Sequence, residues 1–306
     1  MVRPDDCTLT PRQHRLVRKH ARQALQSAGA FGVFPTPVDA VMEAAEILVA
    51  QEDLADKGFL RKMRRKAKSA GHTLKRALDK ILGVMHITAR LVYFDKAVHV
   101  AKLPFLKLHE TAHAVLPWQK DIYAVTEDCK HTLAPEIADE FEREANVFAT
   151  EAIFQLDSFT KEAADSDTNI LVPVRLSRRY GASIYSSIRR YVSKHHKACL
   201  VLVLEPPVID EVRGFTCKLR RVVPSELFLR HFGNLQWPES FSPDDEIGAA
   251  VPVGGKRMSG RRPITLVDQN GNHNRCIGEA FTQTHQVFIL IHSVSTLSAK
   301  RVLVRG

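Results

Sequence analysis

The chain has few cysteines and pairs none of them in a CxxC motif. Cys7, Cys129, Cys199, Cys217 and Cys276 are odd in number and widely scattered, which argues against a disulfide framework and a thiolate zinc site. Also missing is any run approaching the roughly 18 apolar residues needed to cross a bilayer. The opening Met-Val-Arg-Pro-Asp-Asp lacks the apolar core of a secretion signal. The expectation is a cytoplasmic protein without a membrane partner. The glycine-rich stretch Gly254-Gly-Lys-Arg-Met-Ser-Gly260 does not have the GxxxxGK[ST] spacing of a phosphate-binding loop and reads as a surface loop. Acidic residues are outnumbered, 34 against 44 Lys and Arg, for a formal charge of +10. That excess favours an acidic partner or a nucleic acid without specifying either.

What is present is globular. A hydrophobic fraction of 44% and a charged fraction of 25% exclude wholesale disorder. With 306 residues there is room for two or three domains. Basic charge concentrates in Arg61-Lys-Met-Arg-Arg-Lys-Ala-Lys68, while Glu136, Asp139, Glu140, Glu142 and Glu144 fall close together in a basic protein. Basic helical runs are mostly solvated faces, so nucleic-acid binding is possible for 61–68 but not favoured.

Residues 11–50 have helical spacing interrupted at Gly32–Pro37, and 55–82 continue as a basic helical stretch. Thr88–Phe94 and Ala97–Ala101, rich in β-branched and aromatic residues around Asp95-Lys96, predict a hairpin. Pro104 then opens a helix and Pro117 closes it; after a loop over 118–133, Pro135 starts a second helix running to about Leu156. Residues 173–192 read as helix, glycine turn and helix, in helix-turn-helix spacing with Ser183 as N-cap. Strand-like runs at 198–204, 215–223, 264–267 and 287–292, with an Asn270-Gly271 turn, predict a C-terminal α+β or mostly β domain.

The first of these helices carries the chemistry, in His109-Glu110-Thr111-Ala112-His113. Histidines four apart differ by about 40° in direction and can offer two imidazoles to one ion. Glu110, about 100° round from His109, is placed to take a proton from a water on that ion. Phe105, Leu108, Ala112, Val115 and Leu116 form an apolar stripe on the other side. The strand expected at 97–101 would border the cleft and could pair with an extended peptide, which favours a peptide substrate. A third ligand is available on the second helix. Around its apolar face of Phe141, Ala145, Phe148 and Ala152, Glu142 and Glu144 stand on opposite flanks, each about 80° from the centre, so periodicity leaves a tie. The small residues Ala138, Ala145 and Ala149 on the Glu142 flank permit a closer approach and favour Glu142, while Glu140 should face solvent.

Phe105-Leu-Lys-Leu-His-Glu-Thr-Ala-His113 followed by Glu142-Arg-Glu-Ala-Asn-Val-Phe-Ala149 resembles the ImmA/IrrE family of bacterial metallopeptidases, over about 80–196. Where members of that family continue with Leu-Leu-Met-Pro, this chain has Glu151-Ala-Ile-Phe-Gln155. The resemblance implies a zincin-like core and a single Zn²⁺ held by His109, His113 and Glu142, with Glu110 as catalytic base. It further implies a partner transcriptional repressor as the protein substrate, cut during stress or mobile-element induction. It also implies that the helical segment after the core packs against that core instead of reading DNA.

The resulting expectation is an α+β fold in three parts. Residues 1–165 form the metallopeptidase domain, 166–196 the helix-turn-helix-like segment, and 197–306 the C-terminal domain. The competing function is a non-catalytic DNA-binding or ligand-sensing regulator that keeps the zincin core as scaffold. An intact Glu110 speaks against it.

Overall fold

A computed structural model describes residues 9–49, 83–86, 90–94, 98, 100–122, 135–283 and 285–294. The expected helical stretch 55–82, with its basic run, and most of the expected loop 118–133 lie outside the described residues. The fold is of mixed helix and sheet and divides into two units. One comprises 6–158 with 177–183, the other chiefly 159–176 and 184–306. The division falls before the expected boundary at 165, and the helix-turn-helix-like segment does not form a unit of its own.

In the first unit the helix Pro11–Ser27 is started by a capping box. The Thr10 hydroxyl accepts from the Gln13 N–H at 3.3 Å while the Gln13 side chain accepts from the Thr10 N–H at 2.9 Å. Val17, Ala21 and Leu25, four apart, make its buried stripe, and it packs on the helix Pro135–Ile153. A short helix, Val38–Ala44, leads into a three-stranded sheet of β1 (Leu48–Val49), β2 (Gly83–His86) and β3 (Leu91–Phe94), in the order β1-β3-β2. β2 and β3 are antiparallel, so the hairpin lies one strand earlier than 88–94 with 97–101. Val100–Lys102 is a 3-10 turn, and the strand expected beside the cleft is not formed there. Pro104 two residues on sits in the first turn of the next helix, which the 3-10 turn feeds directly.

That helix, Leu103–Val115, is buried on every side from Leu108 to Ala114. The expected division into a polar face and an apolar stripe therefore holds only in part. Even Thr111 is fully buried, its hydroxyl donating to the Lys107 carbonyl at 2.7 Å. Pro117 closes the helix as expected. It forces Leu116 into an extended conformation (ψ 111°) and then opens a further helical turn over 117–122.

The second unit is a curled antiparallel sheet with helices on it. Its strands are β4 (Cys199–Leu204), β5 (Val208–Asp210), β6 (Gly214–Pro224), β7 (Ser240–Phe241), β8 (Arg262–Val267), β9 (His273–Gln283) and β10 (Gln286–Ser293). They run in the order β5-β6-β4-β10-β9-β8, with β7 on β6. Leu200, Leu202 and Leu204 share a core with Phe228 and Phe232 of the helix Glu226–Phe232. The alternate residues of β4 are equally buried, and the helix Ile184–Ser193 packs on β4 and β6, with Tyr185 6.2 Å from Phe288. Burial on both faces explains the unbroken apolar run of β4. The reading that this helical segment lies on the core therefore holds for its middle, 177–183, which belongs to the first unit with the Tyr180 ring 4.8 Å from Phe34, and not for Ile184–Ser193, which covers the sheet of the second unit. Arg190 of this helix is only 5% exposed.

Candidate metal centre

Two helices and one turn build the site. His109 and His113 lie one turn apart on the helix Leu103–Val115, and Glu142 comes from the helix Pro135–Ile153 packed across it. The close approach rests on Ala145 and Ala149, both with no exposed surface. The Nε2 atoms of the two histidines are 3.4 Å apart, and the Glu142 carboxylate lies 3.2 Å from His109 Nε2 and 3.7 Å from His113 Nε2. Ligands bound at 2.0–2.1 Å in a tetrahedron stand about 3.3 Å from one another. The three donors are thus spaced to share one ion, and among the described residues they form the one such group.

Each imidazole is held by its other nitrogen. His109 Nδ1 is 3.1 Å from Asn146 Oδ1, and His113 Nδ1 is 2.7 Å from Gln119 Oε1. An amide oxygen can only accept, so in each case Nδ1 carries a hydrogen, and in the neutral ring this leaves the Nε2 lone pair for the centre. Asn146 follows Glu142 by four residues and therefore shares its helix face. Gln119 arrives from the turn that Pro117 opens. Its NH2 donates to Glu144 Oε2 at 2.7 Å and to the Phe141 carbonyl at 3.3 Å, and Trp118 Nε1 donates to the same Glu144 oxygen at 2.7 Å.

The structure thus separates the two glutamates that periodicity left tied. Glu142, its side chain 56% exposed, meets both histidines, while Glu144 is buried and meets Gln119 and Trp118. Glu140 is half-buried, not solvent-facing, and accepts from the Gln13 side chain of the first helix. Sequence reading missed Gln119, Trp118 and the part played by Asn146. Only Asn146 had a signal, its spacing of four from Glu142.

The electrostatics follow from crowding ionisable groups in a dry place. Burial pushes Glu110 up to about 7, against the pull of His109 and with the help of the Glu142 charge. Burial, and then the neighbouring His109, bring His113 down to about 4. For His109 burial works downward, but the hydrogen bond to Glu142 and the charges of Glu110 and Glu142 outweigh it and raise the ring. Burial raises Glu142, but its contacts with His109 and His113 prevail and hold it below the usual range. The carboxylate is thus drawn to positive charge at this point, which is what a bound cation would provide.

No family model and no curated protein matches the chain. Among solved structures it is similar to a Mycobacterium tuberculosis transcriptional regulator, at 15% identity and a TM-score of 0.49, over 92% of this chain and 76% of that one.

Proposed function

We propose that this protein is a zinc-dependent endopeptidase, with His109, His113 and Glu142 holding the ion and Glu110 as the base. One observation carries the reading. Three donors from two helices stand at the edge lengths of a coordination tetrahedron, with both imidazoles oriented from behind. A zinc ion bound there would supply a Lewis acid and lower the pKa of a bound water to about 7.

The chain's own residues do the rest. The buried Glu110 can take a proton from the attacking water and deliver it to the departing amine. Half-exposure of Glu142 beside two buried histidines leaves the centre reachable from that side. A peptide substrate, and specifically a partner transcriptional repressor, follows from the resemblance of the two motifs to the ImmA/IrrE metallopeptidases, as does a zincin-like description of the first unit.

The test combines metal analysis of the purified protein with digestion of a candidate repressor, such as the product of a neighbouring regulator gene, with and without chelator. A single cut that chelator abolishes and zinc restores is expected. Bound zinc with no cleavage of any candidate repressor or unstructured peptide would count for the scaffold reading instead.

A further inference from the structure

We infer that Glu144 is a positioning residue: through Gln119 it fixes His113 in the tautomer that turns the Nε2 lone pair toward the metal. The inference rests on reading His109, His113 and Glu142 as a metal centre and extends it one layer outward.

A neutral imidazole carries its hydrogen on either nitrogen, and only the Nδ1–H form leaves Nε2 able to ligate. The acceptor at Nδ1 is Gln119 Oε1, 2.7 Å away. A side-chain amide is a poor guide by itself, because rotation by 180° exchanges its oxygen for NH2. That rotation would put a donor against Nδ1 and stabilise the wrong tautomer. What forbids it lies at the other end of the amide. The NH2 meets Glu144 Oε2 at 2.7 Å and the Phe141 carbonyl at 3.3 Å. Both are acceptors, so a rotated amide would bring its oxygen against two others in a buried site. Trp118 Nε1, donating to the same Glu144 oxygen at 2.7 Å, keeps the carboxylate in place.

Glu144 is 4% exposed and Gln119 has no exposed surface, so water cannot replace either partner. A buried carboxylate facing neutral donors is costly in stability compared with an apolar side chain of similar size. Packing beneath the 117–122 turn would not require an oxygen there. Orienting an amide does require an acceptor-only oxygen at this point.

The test reads the tautomer directly, by long-range proton–nitrogen correlation on histidine-labelled metal-free protein, alongside zinc affinity by chelator competition. In the wild type His113 should carry its hydrogen on Nδ1. Glu144→Leu should move the population toward Nε2–H and weaken zinc binding about ten- to a hundredfold, the usual loss when a ligand's outer partner goes. Glu144→Gln, which keeps an oxygen toward Trp118 and Gln119, should stay near wild type in both. Gln119→Ala reads the relay from its middle and covers the case of a Glu144→Leu protein that does not fold. It too should release the tautomer, and adding Glu144→Leu to it should change the tautomer no further.

A folded Glu144→Leu protein with the wild-type tautomer and affinity overturns the inference, as does a wild-type His113 protonated on Nε2. If the wild type binds no zinc, the metal reading fails, and the tautomer populations still decide the relay.

Discussion

Replacing Glu142 by alanine removes one of three protein donors and leaves both histidines oriented. Sites with four protein ligands bind Zn²⁺ with about 10–16 kcal/mol, or roughly 2.5–4 kcal/mol for each ligand if shared equally. At about 1.4 kcal/mol per tenfold, losing Glu142 should weaken zinc binding by about two to three orders of magnitude. The lower end is expected, because the side chain is 56% exposed and water can take its place. Competition against a chromophoric chelator measures this directly. A second readout is thermal. At free zinc about a hundredfold above the wild-type Kd, binding stabilises the wild type by about 2.7 kcal/mol; a hundredfold weaker variant would keep only about 0.4 kcal/mol at the same zinc. Glu144→Ala is the control, losing an outer partner and no ligand, so its loss should be about ten- to a hundredfold. If Glu144→Ala strips the metal while Glu142→Ala binds at wild-type affinity, the assignment of the ligand is refuted.

Three further expectations have separate origins. Glu110→Gln should retain fold and zinc yet cleave at least about a hundredfold more slowly, since an amide cannot accept the water's proton; undiminished cleavage by the purified variant removes Glu110 from the mechanism. His195 in the second unit is brought down to about 3 by burial, then by His196, Lys197 and His292, so the fold keeps it neutral while the unfolded chain protonates below about 6.5. The stability it contributes is present above 6.5 and drains away as the pH falls toward 3. Denaturant melts should therefore show the wild type losing up to about 2 kcal/mol more than His195→Gln between pH 7 and pH 5, and parallel losses would show that the ring does titrate in the fold. Gly248→Ala should destabilise the protein by about 3 kcal/mol or more, because a Cβ there would lie 1.8 Å from the Ser242 carbonyl oxygen, and a melting temperature within a degree of wild type would contradict that packing.

Much of the architecture could be read from the chain where local chemistry and burial agree. Pro104 and Pro135 mark the first turns of the two site helices. Gly181, at φ +64°, turns the chain between two helices where the sequence placed a glycine turn. Strands covered on both faces, such as β4 and β10, announced themselves as apolar runs. β9 did not: His273–Gln283 mixes charged, polar and small residues, and its buried middle is set by pairing between β8 and β10. The hairpin was misplaced by one strand because Ala97–Ala101 has strand-forming residues but runs straight into a 3-10 turn and helix. The histidines and Glu110 could be read because one turn of one helix holds them. Gln119 could not, since it reaches His113 only after the chain has turned at Leu116 and Pro117.

That turn also explains why periodicity could not choose between Glu142 and Glu144. Two residues apart on a helix means about 200°, so the two carboxylates leave opposite flanks of the same buried stripe. A helix packed only against the histidine helix would have one useful flank and one idle one, and the sequence would then favour one glutamate by its neighbours. Here both flanks are used. On the open side Glu142 reaches the two Nε2 atoms directly. On the other, the 117–122 turn folds back and inserts Gln119 between Glu144 and His113, so the second carboxylate acts on the same ring from its Nδ1 end. The tie in the pattern therefore reflects two roles and not an ambiguity: Glu142 meets His113 at Nε2, while Glu144 reaches Nδ1 only through the amide of Gln119 on the 117–122 turn.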